Sequence, residues 1–187
     1  LQLKFGIYNG FGAKKEDLQD LLMYHSIRED KLVTLAEYKE KMPEGQDAVY
    51  YACGDNVQRI KQLPQSELVL DKGYDILAMT DDVDEFAIRM MYDFEGKPYK
   101  SISSSDLGLE TEADKEAAAK KSEDYKEMFG FIKDALGDKV KEVRISKRLK
   151  SHPVCLASDG ALSLEMEKVL NSMPTDKKVK AERVLEI

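Results

Sequence analysis

Three short apolar runs, "DAVYYACG" (47–54), "YDILAMT" (74–80) and "KPYKSIS" (97–103), are spaced so that one helix-length segment lies between each neighbouring pair. This constrains the fold more than any other feature, because strands joined by helical crossovers pair in parallel and cross over with a right hand. The second crossover carries a complete helical stripe. Val83, Phe86, Ala87, Met90, Met91 and Phe94 recur at i, i+3, i+4, i+7, i+8 and i+11, and Gly96 is placed to end the helix. The first crossover, "NVQRIKQLPQSELVLDKG", reads as one or two short helices broken near Pro64 and closed by Gly73.

Upstream, residues 1–30 read as helical pieces around a glycine-containing turn, with Leu18, Leu21, Leu22 and Ile27 on one amphipathic face. Thr34 with Glu37 three residues on is a capping-box pattern, and Pro43 and Gly45 stop the helix it starts. Composition changes near residue 105. Residues 103–110 read as a linker, and 111–136 as a long helix whose first half is solvated. Its second half packs through Tyr125, Met128, Phe129, Ile132 and Leu136. Strands "KVKEVRIS" and "HPVCLASD", a helix "ALSLEMEKVLNSM" stopped by Pro174, and a last strand "KAERVLEI" complete the chain.

The expected class is α/β. A helical connector (1–33) leads into a small three-layer α/β/α unit with a short parallel sheet (34–105), followed by a second, truncated α+β domain (106–187). A start without methionine and an end on the apolar "RVLEI" read as a piece of a longer protein, with a strand edge open to pairing.

A formal charge of −7 opposes a general nucleic-acid partner, which calls for a basic footprint. No run approaches the apolar length of a membrane span and no secretory leader pattern is present, so no membrane partner is expected. Cys53 and Cys155 lie in separate apolar runs and read as buried thiols of a reduced, cytoplasmic compartment.

The most conspicuous chemistry is Asp81, Asp82, Asp84 and Glu85 at the start of the striped helix. Metal or acid–base chemistry needs carboxylates that converge from separate elements. Consecutive acids at a helix start instead suit capping, with Asp82 as N-cap, Glu85 at N3, and both favoured by the macrodipole. The alternative is an α/β enzyme using this carboxylate cluster or Cys53. Neither a GxxxxGK[ST] nor a GxGxxG loop occurs, and His25 and His152 lie outside any zinc-ligand spacing, so no metal site is expected. Met90 and Met91 belong to the core stripe. Leu162, Met166, Val169, Leu170 and Met173 form another stripe, which suits either core burial or an adaptable surface for a partner protein.

Five stretches carry a family resemblance: "LLMYHS", "TLAEYKEKMPEGQDAVYYACGDN", "KGYDILAMTDDVDEFAIRMMYDFEGKPYKSIS", "VKEVRISKRLKSHPVCLASD" and "MEKVLNSM" followed by "RVLEI". In order and spacing the chain resembles the heat-shock protein 90 chaperones, their bacterial branch in particular, over essentially its whole length. The resemblance implies a cytoplasmic, ATP-dependent chaperone of unfolded or partly folded client proteins that works as a homodimer. Residues up to about 105 would be the end of its middle domain and those from about 110 the first part of its C-terminal domain. The site for ATP and magnesium would lie on an N-terminal domain preceding Leu1, and the dimerisation helices would follow Ile187. This chain would then neither bind ATP productively nor hydrolyse it. The family's client-binding positions fall on Glu85 and Phe86, with Arg89 standing where the family has a polar residue. They also fall on the amphipathic helix at 162–173, at Met166 and Leu170, with Met173 on the same stripe.

Overall fold

The computed structural model describes residues 1–174 and 177–187, which divide into two compact units, Leu1–Ile102 and Ser103–Ile187. The fold is α/β.

In the first unit, α1 (Gln2–Asn9) and α2 (Lys15–Leu18) precede strands β1 (Met23–Ser26) and β2 (Lys31–Thr34). There follow α3 (Leu35–Glu40), β3 (Val49–Cys53), α4 (Val57–Lys61), α5 (Glu67–Asp71), β4 (Leu77–Met79), α6 (Asp84–Met91), β5 (Asp93–Phe94) and β6 (Lys97–Ser101). The strand order is β2-β1-β4-β3-β6-β5. Its centre, β4-β3-β6, is parallel, as the crossover spacing requires, with Tyr51 opposite Leu77 and Val49 opposite Tyr99. Both flanks are antiparallel.

β3 shows how the layers form. Val49 and Tyr51 point into a core with Ile7 of α1 and Ala87, Ile88 and Met91 of α6. Tyr50 points the other way and stacks on Tyr74, 5.9 Å between ring centroids, on the side where α4 and α5 bury Ile60 and Val69. Thr34 makes the expected capping box with Glu37 at the start of α3.

Three expectations need correction. The connector at 1–33 is only partly helical, since residues 23–26 and 31–34 form a hairpin on the sheet edge, turning at Asp30 with φ +55°. Helix α6 ends at Met91 rather than near Gly96, because Tyr92 takes φ +64°. Phe94 therefore reaches the core from β5, while Gly96, at φ +80°, serves the β5–β6 turn.

The second unit holds α7 (Glu112–Asp124), α8 (Lys126–Leu136), β7 (Glu142–Arg144), β8 (Cys155–Asp159), α9 (Leu164–Ser172) and β9 (Glu182–Glu186). The expected long helix is two, parted at Tyr125, with a capping box from Thr111 and Asp114 starting the solvated first one. Phe129 of α8 packs with Val140 and Val143. Part of the expected linker is fixed structure: Ser105 donates its N–H to Ser158, and Ser158 donates its N–H to Ser103, each at 2.8 Å.

The last strand is no open edge. β9 lies between β7, to which it is parallel, and β8, to which it is antiparallel, so "RVLEI" has both sides paired. Below it sits a buried ion network. Arg148 Nε lies 2.8 Å from Glu186 Oε2 and Arg144 Nη2 2.7 Å from Oε1, while Arg148 also donates to the Ser104 carbonyl at 2.8 Å.

Candidate functional site

The four carboxylates of the opening turn of α6 do not converge. A turn in which Asp84 donates its N–H to the Asp81 carbonyl delays the helix, so Val83 is the N-cap and makes no side-chain cap bond. Asp82 is exposed and caps nothing, which overturns its expected role. Asp84 is fully buried, and its Oδ1 lies 2.5 Å from Lys4 Nζ on α1, while its Oδ2 accepts the Asp81 N–H at 2.9 Å. Lys4 also reaches Asp81, at 2.8 Å, and lies over the Tyr24 ring. Burial pushes the Asp84 carboxyl above its ordinary range, against the pull of Lys4. Together these groups pin α1 to α6. Among the described residues no group of three or more His, Cys, Asp or Glu side chains is arranged to hold a metal ion.

Glu85 is turned inward too, at 4% exposure, with Oε1 3.4 Å from both the Tyr51 hydroxyl and Arg89 Nη2. It supports the surface rather than forming it. Phe86 and Arg89, next on the helix, are half-buried. Phe86 meets Tyr8 of α1 edge-to-face, 5.7 Å between centroids at 64°. Leu1, the N-cap of α1, and Phe5 and Tyr8 on it are exposed at i, i+4 and i+7, as is Leu3, whereas Lys4 is buried. The sequence reading missed Leu1, Phe5 and Tyr8. Their helical spacing was visible, but nothing local shows that a lysine takes the inner face and the aromatics the outer one.

The two cysteines are free thiols on separate strands, Cys53 on β3 and Cys155 on β8. Cys155 is buried, and burial with nearby Glu186 pushes its pKa up to about 12. Cys53 is half-buried on β3 rather than fully enclosed as expected.

Helix α9 behaves unlike the other amphipathic helices. Ser163 caps it, accepting the Met166 N–H at 3.0 Å, yet none of its residues is buried. Met166 and Leu170 are half-buried and Met173, just beyond its end, is 44% exposed. Beside it in the same unit runs an apolar groove of about 880 Å³, lined by Leu136, Val140, Val154, Leu156, Val179 and Leu185. No helix among the described residues is long and apolar enough to cross a membrane.

The family model described as "Hsp90 protein" matches residues 1–187. The chain is 56% identical over 186 residues to "Chaperone protein HtpG" of Bacillus subtilis (strain 168), covering all of this chain and 30% of that protein. It is likewise 56% identical over 186 residues to the protein of the same name from Clostridium acetobutylicum, and 55% to that of Clostridium botulinum (strain Langeland), with the same coverage in each case. The chain therefore spans about a third of the length of these chaperones. With a match that runs from its first residue to its last, the chain belongs to the heat-shock protein 90 family.

Proposed function

We propose that this chain is the client-handling and coupling segment of a cytoplasmic, ATP-dependent chaperone that acts as a homodimer, with no catalysis of its own. The observation that carries the reading is α9, a capped amphipathic helix whose apolar side is only half-buried in its own unit. A half-buried, methionine-bearing stripe suits partners of varied sequence, because the unbranched thioether repacks at low cost. Phe86 and Arg89, joined by Tyr8 and Phe5, offer a second contact surface of aromatic anchors beside a cation. Glu85 contributes by holding Arg89 and Tyr51 in place.

Coupling has a physical basis at the start of the second unit. Residues 103–105 are bonded to β8 and to the Arg144–Glu186–Arg148 network, so a pull on the connecting peptide reaches a sheet rather than a slack loop.

Met166→Asp in the full-length chaperone is expected to weaken capture of heat-denatured citrate synthase roughly tenfold, the loss typical of one buried anchor. It should do so without lowering the melting temperature of the second unit. Unchanged suppression of aggregation would refute the surface. The 187-residue chain by itself is expected to release no phosphate from ATP, since the reading puts ATP and magnesium on a separate N-terminal domain. Turnover by the purified chain would overturn that assignment.

A further inference from the structure

Apolar packing leaves α9 only half-buried, with none of its side chains fully enclosed. Two polar residues one helical turn apart add a directional hold. Glu167 Oε2 accepts the Ala181 N–H at 2.7 Å, and its Oε1 accepts from Arg183 Nη2 at 2.8 Å. Asn171 accepts the Val179 N–H at 2.9 Å through Oδ1 and donates from Nδ2 to the Val179 carbonyl at 2.8 Å. That double exchange is what a paired strand residue makes with its partner. Lys178 Nζ adds a bond to the Asn171 carbonyl at 2.7 Å.

The spacing explains why the fit works. Four residues of helix advance about 6 Å and two residues of extended chain about 6.7 Å, so an i, i+4 pair meets alternate backbone sites, here 179 and 181. The same period at about 100° per residue puts Met166, Leu170 and Met173 roughly 110° around the axis from the Glu167–Asn171 edge. A helix held along that edge presents its apolar stripe to the side of the segment it grips rather than onto it.

We propose that Glu167 and Asn171 are positioning residues for the client-binding face: they clasp α9 to the main chain at 179–181 and fix which way its apolar stripe points. The proposal rests on the reading of that stripe as a client surface. The clasp works by preorganisation. A helix already ordered and oriented does not spend contact free energy on ordering when a client arrives. Because most of these bonds run to backbone atoms of 179 and 181, they hold that segment whatever side chains stand there.

The test uses the full-length chaperone and two readouts, amide hydrogen exchange across 164–172 and capture of heat-denatured citrate synthase. The double variant Glu167→Ala/Asn171→Ala removes four side-chain hydrogen bonds, and α9 amides are expected to exchange at least roughly tenfold faster, with β7–β9 unchanged. Capture should fall in step. Glu167→Gln keeps an acceptor for the Ala181 N–H and should restore most of both. Should the double variant unfold the unit, Asn171→Ala alone carries the same test with a smaller perturbation.

Unchanged α9 exchange overturns the clasp, whatever the client data show. Faster exchange with undiminished capture also overturns it, and a loss of capture in Met166→Asp would then still uphold the client surface. Intact capture in Met166→Asp refutes that surface and, with it, the positioning role.

Discussion

Glu186→Ala is expected to lower the stability of the second unit by about 3–5 kcal/mol, the range for breaking a buried ion pair by removing one partner. Glu186 and Arg148 are 2% and 3% exposed, so the arginine left behind has little access to water. The carboxylate takes part in several interactions at once: with Arg148, Arg144, the Ser146 hydroxyl and the Cys155 thiol. Arg148 also donates to the Ser104 and Ser105 carbonyls, which accept hydrogen bonds but carry no charge to replace the carboxylate's. Since a domain is stable by only about 5–15 kcal/mol, a loss of this size leaves much of the unit unfolded at moderate temperature. Glu186→Gln keeps the acceptors and their shape and should fall between alanine and wild type. Urea unfolding followed by exchange in β7–β9 measures the effect. A loss below about 1 kcal/mol would show that water or rearranged arginine contacts replace the carboxylate.

How much of this was visible beforehand depends on whether the deciding contact is local. The parallel centre of the first sheet was legible because β3, β4 and β6 are apolar runs set a crossover apart. The capping box at Thr34 was legible because its partner is three residues away. The β1–β2 hairpin was not. Its alternation is masked by identity: Met23 and Leu32 face solvent while Ser26 is buried, and its turn uses Asp30 at positive φ without a glycine. Phe94 fell on the helical stripe by period, but Tyr92 breaks the helix first and the same residue enters the core from a strand.

The candidate surfaces divide in the same way. Phe86 and the α9 stripe were found because helical spacing is a local property. The inward turn of Asp84 and Glu85 was not, because Lys4 stands 80 positions from Asp84 and Tyr51 34 from Glu85. Likewise, the clasp at Glu167 depends on main chain at Ala181, which no side-chain pattern announces.

Removing Lys4 should therefore be far more harmful than its place near the start of the chain suggests. Lys4→Met keeps the stem but strands Asp84, whose side chain is only 1% exposed, and is expected to destabilise the first unit by about 3–5 kcal/mol. Asp84→Asn should be milder, because Lys4 retains Asp81, which is partly open to solvent. The double variant Lys4→Met/Asp84→Leu leaves neither charge buried and should recover most of the loss.

Acidity supplies an independent check, with a definite sign. Burial raises the Asp84 carboxyl in the folded chain above its unfolded value, so the native state holds that proton more tightly. Its contribution to stability is then greatest in acid and declines as pH rises through the interval between the two values. Without Lys4 the upward push is less opposed, and the interval reaches to higher pH. The deficit of Lys4→Met relative to wild type should consequently be largest near about pH 8 and shrink toward about pH 5, as the stranded carboxyl takes up its proton. A deficit that is the same at both pH values, or a double variant no better than Lys4→Met, would mean that α1 is held to α6 by its apolar contacts rather than by this pair.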